Sequence, residues 1–209
     1  KSAADEPVDI PVVIGGEELR QDRLIKEVMD SCQYEEQICV AKYHLASEED
    51  AVNSLRKAKE DPDGWRELSS GRRHEVLAEA AVELRKARGD LIGAAAADTG
   101  KIFTEVDVEV SEAIDFAEFY PFSVKEFSDI KTIKGEGKGV GLVIAPWNFP
   151  IAIPCGGIVA ALAAGNTVIF KPASDAVLSA WELCKCFWRA GVSRNSLQFV
   201  PCSGVDVGP

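Results

Sequence analysis

Methionine occurs only once in these 209 residues, and not at position 1. Residue 1 is therefore expected to be a boundary within a longer polypeptide. No run approaches the ~20 uninterrupted apolar residues that cross a bilayer. The opening KSAADEPVDIP also lacks the apolar segment of a signal peptide, so the chain is expected in the cytoplasm. Basic charge is scarce: 23 Lys and Arg face 34 Asp and Glu, a formal net charge of −11. A field of that sign repels phosphate backbones and anionic lipid, which excludes nucleic acid and membrane surfaces as expected partners. The two histidines, His44 and His74, lie far in sequence from the close pair Cys184 and Cys186, and no second pair follows. No metal site is expected. The six cysteines show no regular spacing and read as reduced thiols, not as a disulfide framework. Tandem repeats, low-complexity tracts and Gly/Ser linkers are absent too.

What remains is enough to fold. A hydrophobic content of 46% supplies a core for one large domain or two small ones. VDIPVVIGGEEL and QICVAKYHLA, within residues 8–46, have the composition of short strands, with Gly15-Gly16 as a turn. Ser47 before Glu48, Glu49 and Asp50 is an N-cap followed by negative charge where the helix dipole favours it, predicting a helix to about Lys59. Pro62–Gly64 breaks it. Val76, Leu77, Ala80, Ala81 and Leu84 recur at helical spacing over residues 70–88, Gly89-Asp90 ends or kinks that helix, and further helices are predicted over 90–98 and about 104–120.

From residue 139 the pattern changes. GVGLVIA is an apolar run suited to a strand buried on both faces. IAIPCGGIVAALAAG then reads as a helix, NTVIFK as a strand, AVLSAWELCKCFWRAG as a helix and SLQFV as a strand. Strand–helix–strand–helix–strand is the signature of a parallel, right-handed α/β unit. The expected fold is thus α/β: a partial doubly wound, Rossmann-like parallel sheet over 139–209, preceded by helices and short strands over 1–138. The glycines of GEGKGVG precede the strand, whereas a dinucleotide fingerprint needs them between strand and helix; they are read as a hairpin or the approach to the strand.

APWNFP and KPAS stand at the carboxyl ends of the first two of these strands, where parallel α/β units bind ligands. In sequence context, VIAPWNFPIAIPCGGIVAALAAGNTVIFKPAS resembles the aldehyde dehydrogenase superfamily, with its PWNFP and GNT-V-x-KP(A/S) signatures in order. Trp65, the helices from Arg72 to Leu91 and Thr99-Gly100-Lys101 extend the resemblance. SEAIDFAEFYPFS followed by GVGLVIAPWNFPIAI is most similar to the branch that oxidises glutamate semialdehyde, the pyrroline-5-carboxylate dehydrogenases, often fused to proline dehydrogenase. The resemblance implies a role in proline catabolism, a small aldehyde as substrate, NAD as cofactor and a homo-oligomer at full length.

It also assigns residues. Asn148 would donate to the oxygen that becomes negative when a thiolate attacks the aldehyde; on spacing alone it is a turn residue between two prolines. Lys171 would hold the adenosine ribose hydroxyls, or simply reach solvent past Pro172. Ser174 stands where many NAD-preferring members have Glu, which removes a repulsion against a 2′-phosphate and leaves NADP admissible. Ile144, Ala145, Pro146 and Trp147 would line the dinucleotide, with Trp147 equally readable as core, and Gly204 would lie beneath the adenine. In RNSLQFVPCSGVDVG, Asn195-Ser196 and Cys202 depart from the family's glycines. Phe149 and Glu112 would line the aldehyde tunnel, although a solvated helix face suits Glu112 as well. The family's nucleophilic cysteine and general-base glutamate are expected downstream of Pro209, with Cys155 a small buried hydrophobe. The 209-residue segment alone is accordingly expected to be inactive, its three strands of a larger sheet leaving an exposed edge and an incomplete cofactor crevice. Two other readings stay open: oxidation of another semialdehyde such as succinate semialdehyde, and a non-catalytic nucleotide-binding or assembly module.

Overall fold

Pro11 divides the first β-rich stretch, because proline has no amide hydrogen to give to a ladder. In the computed structural model, which describes residues 6–132 and 134–204, the strands on its two sides join different sheets. Val8–Ile10 (β1) belongs to one; Val12–Ile14 (β2) belongs to another and turns back into Glu17–Leu19 (β3). The turn is Gly15-Gly16, at φ 60° and 86°, the left-handed conformation that tight hairpins require. Ile25–Met29 (β4) and Cys39–His44 (β5) complete the first sheet, with β5 central, parallel to β1 and antiparallel to β4. The sequence does not announce β4: four of its five residues, IKEVM, are exposed.

Helices fill the middle of the chain. Glu48–Glu60 (α1) opens with a reciprocal cap in which the Ser47 hydroxyl accepts from the Asp50 amide and the Asp50 carboxylate accepts from the Ser47 amide. Ser70–Lys86 (α2) gives way to Arg88–Thr99 (α3) at Ala87, slightly before the expected Gly89-Asp90. Phe103–Ser128 (α4) outruns its expected end near residue 120 because Pro121 is accommodated inside the helix, buried against neighbouring elements. Proline has no amide to offer the carbonyl one turn earlier, that of Ala117, so the packing of this face sustains the helix there.

The remaining elements are Val140–Ile144 (β6), Ala152–Ala163 (α5), Thr167–Lys171 (β7), Val177–Arg189 (α6) and Leu197–Phe199 (β8). β6, β7 and β8 pair in parallel, as the alternating pattern requires. The exposed edge of the parallel strands is at β6, which among the described residues has only β7 beside it, whereas β2 pairs antiparallel with β8, Val13 opposite Phe199, giving a mixed sheet ordered β3-β2-β8-β7-β6. The amides on the outer side of β8 are thereby offered a partner, and the N-terminal hairpin extends the sheet.

α5 and α6 cover one face of this sheet, burying Ile158, Leu162, Leu183, Phe170 and Phe199 completely. α2 and α4 pack behind them. The indole of Trp65 donates to the Leu162 carbonyl at 3.1 Å, and Arg73 donates to the carbonyls of Ala163 and Leu68, so two side chains add donors to the last carbonyls of α5. GEGKGVG is the approach into β6. Gly139 adopts φ 114°, and a Cβ on Gly137 would lie 2.5 Å from the Gly165 carbonyl oxygen, so only glycine fits there. Among the described residues no helix is long and apolar enough to cross a membrane.

Candidate active site

The opposite face of the sheet is only partly covered. α1 lies against β7, where the Thr167 hydroxyl donates to the Ala58 carbonyl at 2.9 Å. Beyond α1 the outward residues of β6 stay open, with Leu142 62% and Ile144 66% exposed. With Leu55, Ile169 and Val200 they line a cleft of about 750 Å³ that also takes in Lys171 and Gly204. Three of the sequence-predicted cofactor residues, Ile144, Lys171 and Gly204, are thus neighbours around one apolar trough. Ile144 is the register partner of Lys171 across β6 and β7. Lys171 spends one of its three ammonium donors on the Pro172 carbonyl, at 3.1 Å.

The chain leaves β6 through buried Ala145, whose amide donates to the Lys171 carbonyl at 3.3 Å, and half-buried Pro146. Trp147 is 54% exposed, so the core alternative for it falls. It lines a second cleft of about 360 Å³ with Ser174, Asp175, Asp98 and Thr99. The predicted cofactor residues therefore divide between two clefts joined by the Ala145–Pro146 backbone. Asp98 sits at the inner end of the second one, at the start of α6, accepting from the Ser179 amide at 2.7 Å and its hydroxyl at 2.8 Å. Burial pushes its carboxyl up to about 7, against the lowering influence of those donors.

Asn148 and Phe149 follow on the exposed loop before α5. Among the described residues the Asn148 side-chain amide has no hydrogen-bond partner, whereas its backbone carbonyl accepts from Lys101 Nζ at 3.0 Å. The same ammonium stands 4.2 Å from the centroid of the Phe149 ring and 2.8 Å from Glu109 Oε2. Glu109 Oε1 accepts from the amides of Ile151 and Ala152, at 2.7 and 3.0 Å. Lys101 entered the sequence reading only as part of a motif, and Glu109 not at all. The available signal was helical spacing: Glu109 stands in the stripe of Val106, Val110 and Ala113, all fully buried. Glu112 is one turn further along α4, on its exposed surface.

Cys155 is fully buried in α5, its thiol directed at the Ala113 carbonyl, and burial pushes its ionisation far above the ordinary thiol range. A thiol so placed is an inert apolar side chain. Among the described residues no group of three or more His, Cys, Asp and Glu side chains is placed to hold a metal.

Known proteins share this fold. Residues 21–209 match the aldehyde dehydrogenase family. A 1-pyrroline-5-carboxylate dehydrogenase of Geobacillus sp. (strain WCH70) is 32% identical over 218 aligned residues, covering all of this chain and 42% of that protein. The crystal structure of the Thermus 1-pyrroline-5-carboxylate dehydrogenase with bound NAD superposes with a TM-score of 0.88 at 30% identity, over 97% of this chain and 41% of that one. Proline utilization A from Bdellovibrio bacteriovorus gives a TM-score of 0.89 at 31% identity, over 98% of this chain and 22% of that one. The chain therefore spans about two fifths of the length of the two 1-pyrroline-5-carboxylate dehydrogenases and about a fifth of proline utilization A. On the sequence match and the fold together, the chain belongs to the aldehyde dehydrogenase family.

Proposed function

We propose that these 209 residues are the front part of a dehydrogenase that oxidises glutamate semialdehyde, in equilibrium with pyrroline-5-carboxylate, to glutamate in proline catabolism. The observation that carries the reading is the loop after β6: Asn148 offers a free side-chain amide to solvent while its backbone carbonyl is held by Lys101, between α3 and α4, and the amide of Ile151 further along is held by Glu109 of α4. The names of the relatives supply the substrate class.

In this reading the aldehyde carbonyl lies against Asn148. Attack by a thiolate from outside the chain drives negative charge onto the carbonyl oxygen, and the Asn148 NH2 donates to it; a preorganised donor of this kind contributes about 3 kcal/mol to the transition state. Phe149, beside Asn148, packs against the carbon chain of the substrate, and Glu112 lines the approach on the α4 side.

The trough beneath β6 and β7 suits part of a dinucleotide: an apolar floor for a flat ring, a lysine with spare donors at its rim and Gly204 across from it. Lys171 would hold ribose hydroxyls, Ile144 to Trp147 would border the cofactor and Gly204 would lie against the adenine. A bound nicotinamide supplies the hydride acceptor. NAD is the cofactor assigned. Ser174 leaves space for a 2′-phosphate, but the Asp175 carboxylate, 3.4 Å from the Ser174 hydroxyl, keeps negative charge beside that position. The nucleophilic cysteine and general-base glutamate are assigned to the part of the polypeptide outside this chain, residues 139–209 to the start of the NAD(P)-binding domain, and the full-length protein to a cytoplasmic homo-oligomer.

The test is aldehyde-dependent reduction of NAD+ and NADP+ by the full-length polypeptide. Turnover of glutamate semialdehyde well above that of succinate semialdehyde is expected. Equal turnover of the two would remove the substrate assignment, and turnover of neither would leave a nucleotide-binding module.

A further inference from the structure

A helix start leaves several amides without intrahelical partners, and Asn, Asp, Ser or Thr just before it is the usual remedy. The start of α5 has Ile151 as its boundary residue, which carries no hydrogen-bonding side chain. The nearest local candidate is Asn148, three residues upstream. Were its amide oxygen to accept from the α5 amides, the side chain would be turned towards the helix. Glu109, reaching across from α4, takes that position instead: one carboxylate oxygen receives the Ile151 and Ala152 amides and the other meets Lys101. A carboxylate at a helix N-terminus also lies at the positive end of the helix dipole.

The pair is enclosed. Only 1% of the Glu109 side chain and 15% of the Lys101 side chain are accessible. Isolated, either charge would be costly to bury; together, with two amides and a carbonyl as further partners, each is satisfied. The lysine is the second half of the device, since one ammonium touches the Glu109 carboxylate, the Asn148 carbonyl and the face of Phe149.

We propose that Glu109 and Lys101 are a positioning pair for Asn148. Glu109 caps α5 in the place of Asn148 and so leaves the Asn148 amide unengaged, while Lys101 fixes the backbone carbonyl of Asn148 and the ring of Phe149. Neither touches the reacting atoms. The proposal rests on the function given above for Asn148, but its geometric half can be read without turnover.

Two readouts on the full-length polypeptide separate the two. Hydrogen exchange at the Ile151 and Ala152 amides reports the cap: Glu109→Ala is expected to speed it at least tenfold relative to wild type, with α2 unchanged. Steady-state kinetics report the consequence: Glu109→Ala and Lys101→Met are each expected to lower kcat tenfold or more while KM for aldehyde and cofactor stays within about twofold. In Glu109→Ala/Lys101→Met the losses should be markedly less than multiplicative relative to the two single variants, as for residues acting on one element. If Glu109→Ala does not fold, Glu109→Gln carries the exchange measurement, with a smaller acceleration expected because the amide oxygen still accepts. Unchanged exchange at residues 151 and 152 overturns the cap. Faster exchange with unchanged kcat in an active enzyme overturns the positioning role. A wild-type protein that oxidises no aldehyde but shows the exchange effect keeps the cap and refutes the assigned function instead.

Discussion

Asp98, near the end of α3, accepts hydrogen bonds from both the backbone amide and the hydroxyl of Ser179, in the first turn of α6. The contact ties two helices together beneath the cleft that holds Trp147 and Ser174. Because burial raises the carboxyl to about 7, the folded protein retains a proton that the unfolded chain releases near its ordinary value of 3.8. Between those limits the folded state binds more protons, so this group's contribution to stability is full below about pH 4, declines as pH rises and levels off above about 7. Asp98→Asn keeps the shape and removes the titration. Chemical denaturation of both proteins from pH 5 to pH 8 is expected to show the wild type losing stability relative to the variant as pH rises, by a few kcal/mol at most. A constant difference across that range would contradict the assignment.

Gly137 faces the Gly165 backbone so closely that alanine there would require the loop before β6 to move. Gly137→Ala is expected to destabilise the protein by about 1–3 kcal/mol, the usual cost of overpacking. A lowered midpoint in urea with an unchanged slope would show it, and an unchanged midpoint would count against the close approach.

Among the cysteines, Cys32 is exposed while Cys155, Cys184 and Cys186 are buried. Burial raises all three buried thiols, Cys186 to about 11. A disulfide reagent at pH 8 is expected to modify Cys32 of native protein first and to reach the three buried thiols only at the rate of unfolding. Native-state labelling of Cys155 as fast as that of Cys32 would reopen its reading as an inert core residue.

Asn148 is exposed and its side chain carries no structural hydrogen bond among the described residues. Asn148→Ala should therefore leave the unfolding midpoint within about 0.5 kcal/mol of wild type, as exposed substitutions do. Turnover by the full-length protein should nonetheless fall about a hundredfold. Equal losses in stability and activity would mean that the residue is a turn element.

The parallel block from β6 to β8 was legible because its signals are local: apolar strands of about five residues, helices of matching length and turn residues between them. The same holds for α1, whose cap is written in Ser47 and Asp50. Contacts between distant segments were not legible. Nothing in VVI or LQF says that β2 pairs with β8 across some 186 positions, and β4 lacks an apolar alternation because most of it faces solvent. Pro121 reads as a helix end unless the burial of its surroundings is known. In the site, motif residues were found by resemblance, whereas Glu109 was hidden because an acidic residue on a helix usually faces water. Only the fold shows that two amides of another helix await it.

The measurement that bears most directly on the assigned function is the rate of NAD+ reduction by the full-length polypeptide with glutamate semialdehyde, set against succinate semialdehyde under the same conditions. Preferred oxidation of glutamate semialdehyde, lost about a hundredfold in Asn148→Ala, is the expected result. Turnover of neither aldehyde, or full turnover without Asn148, would contradict it.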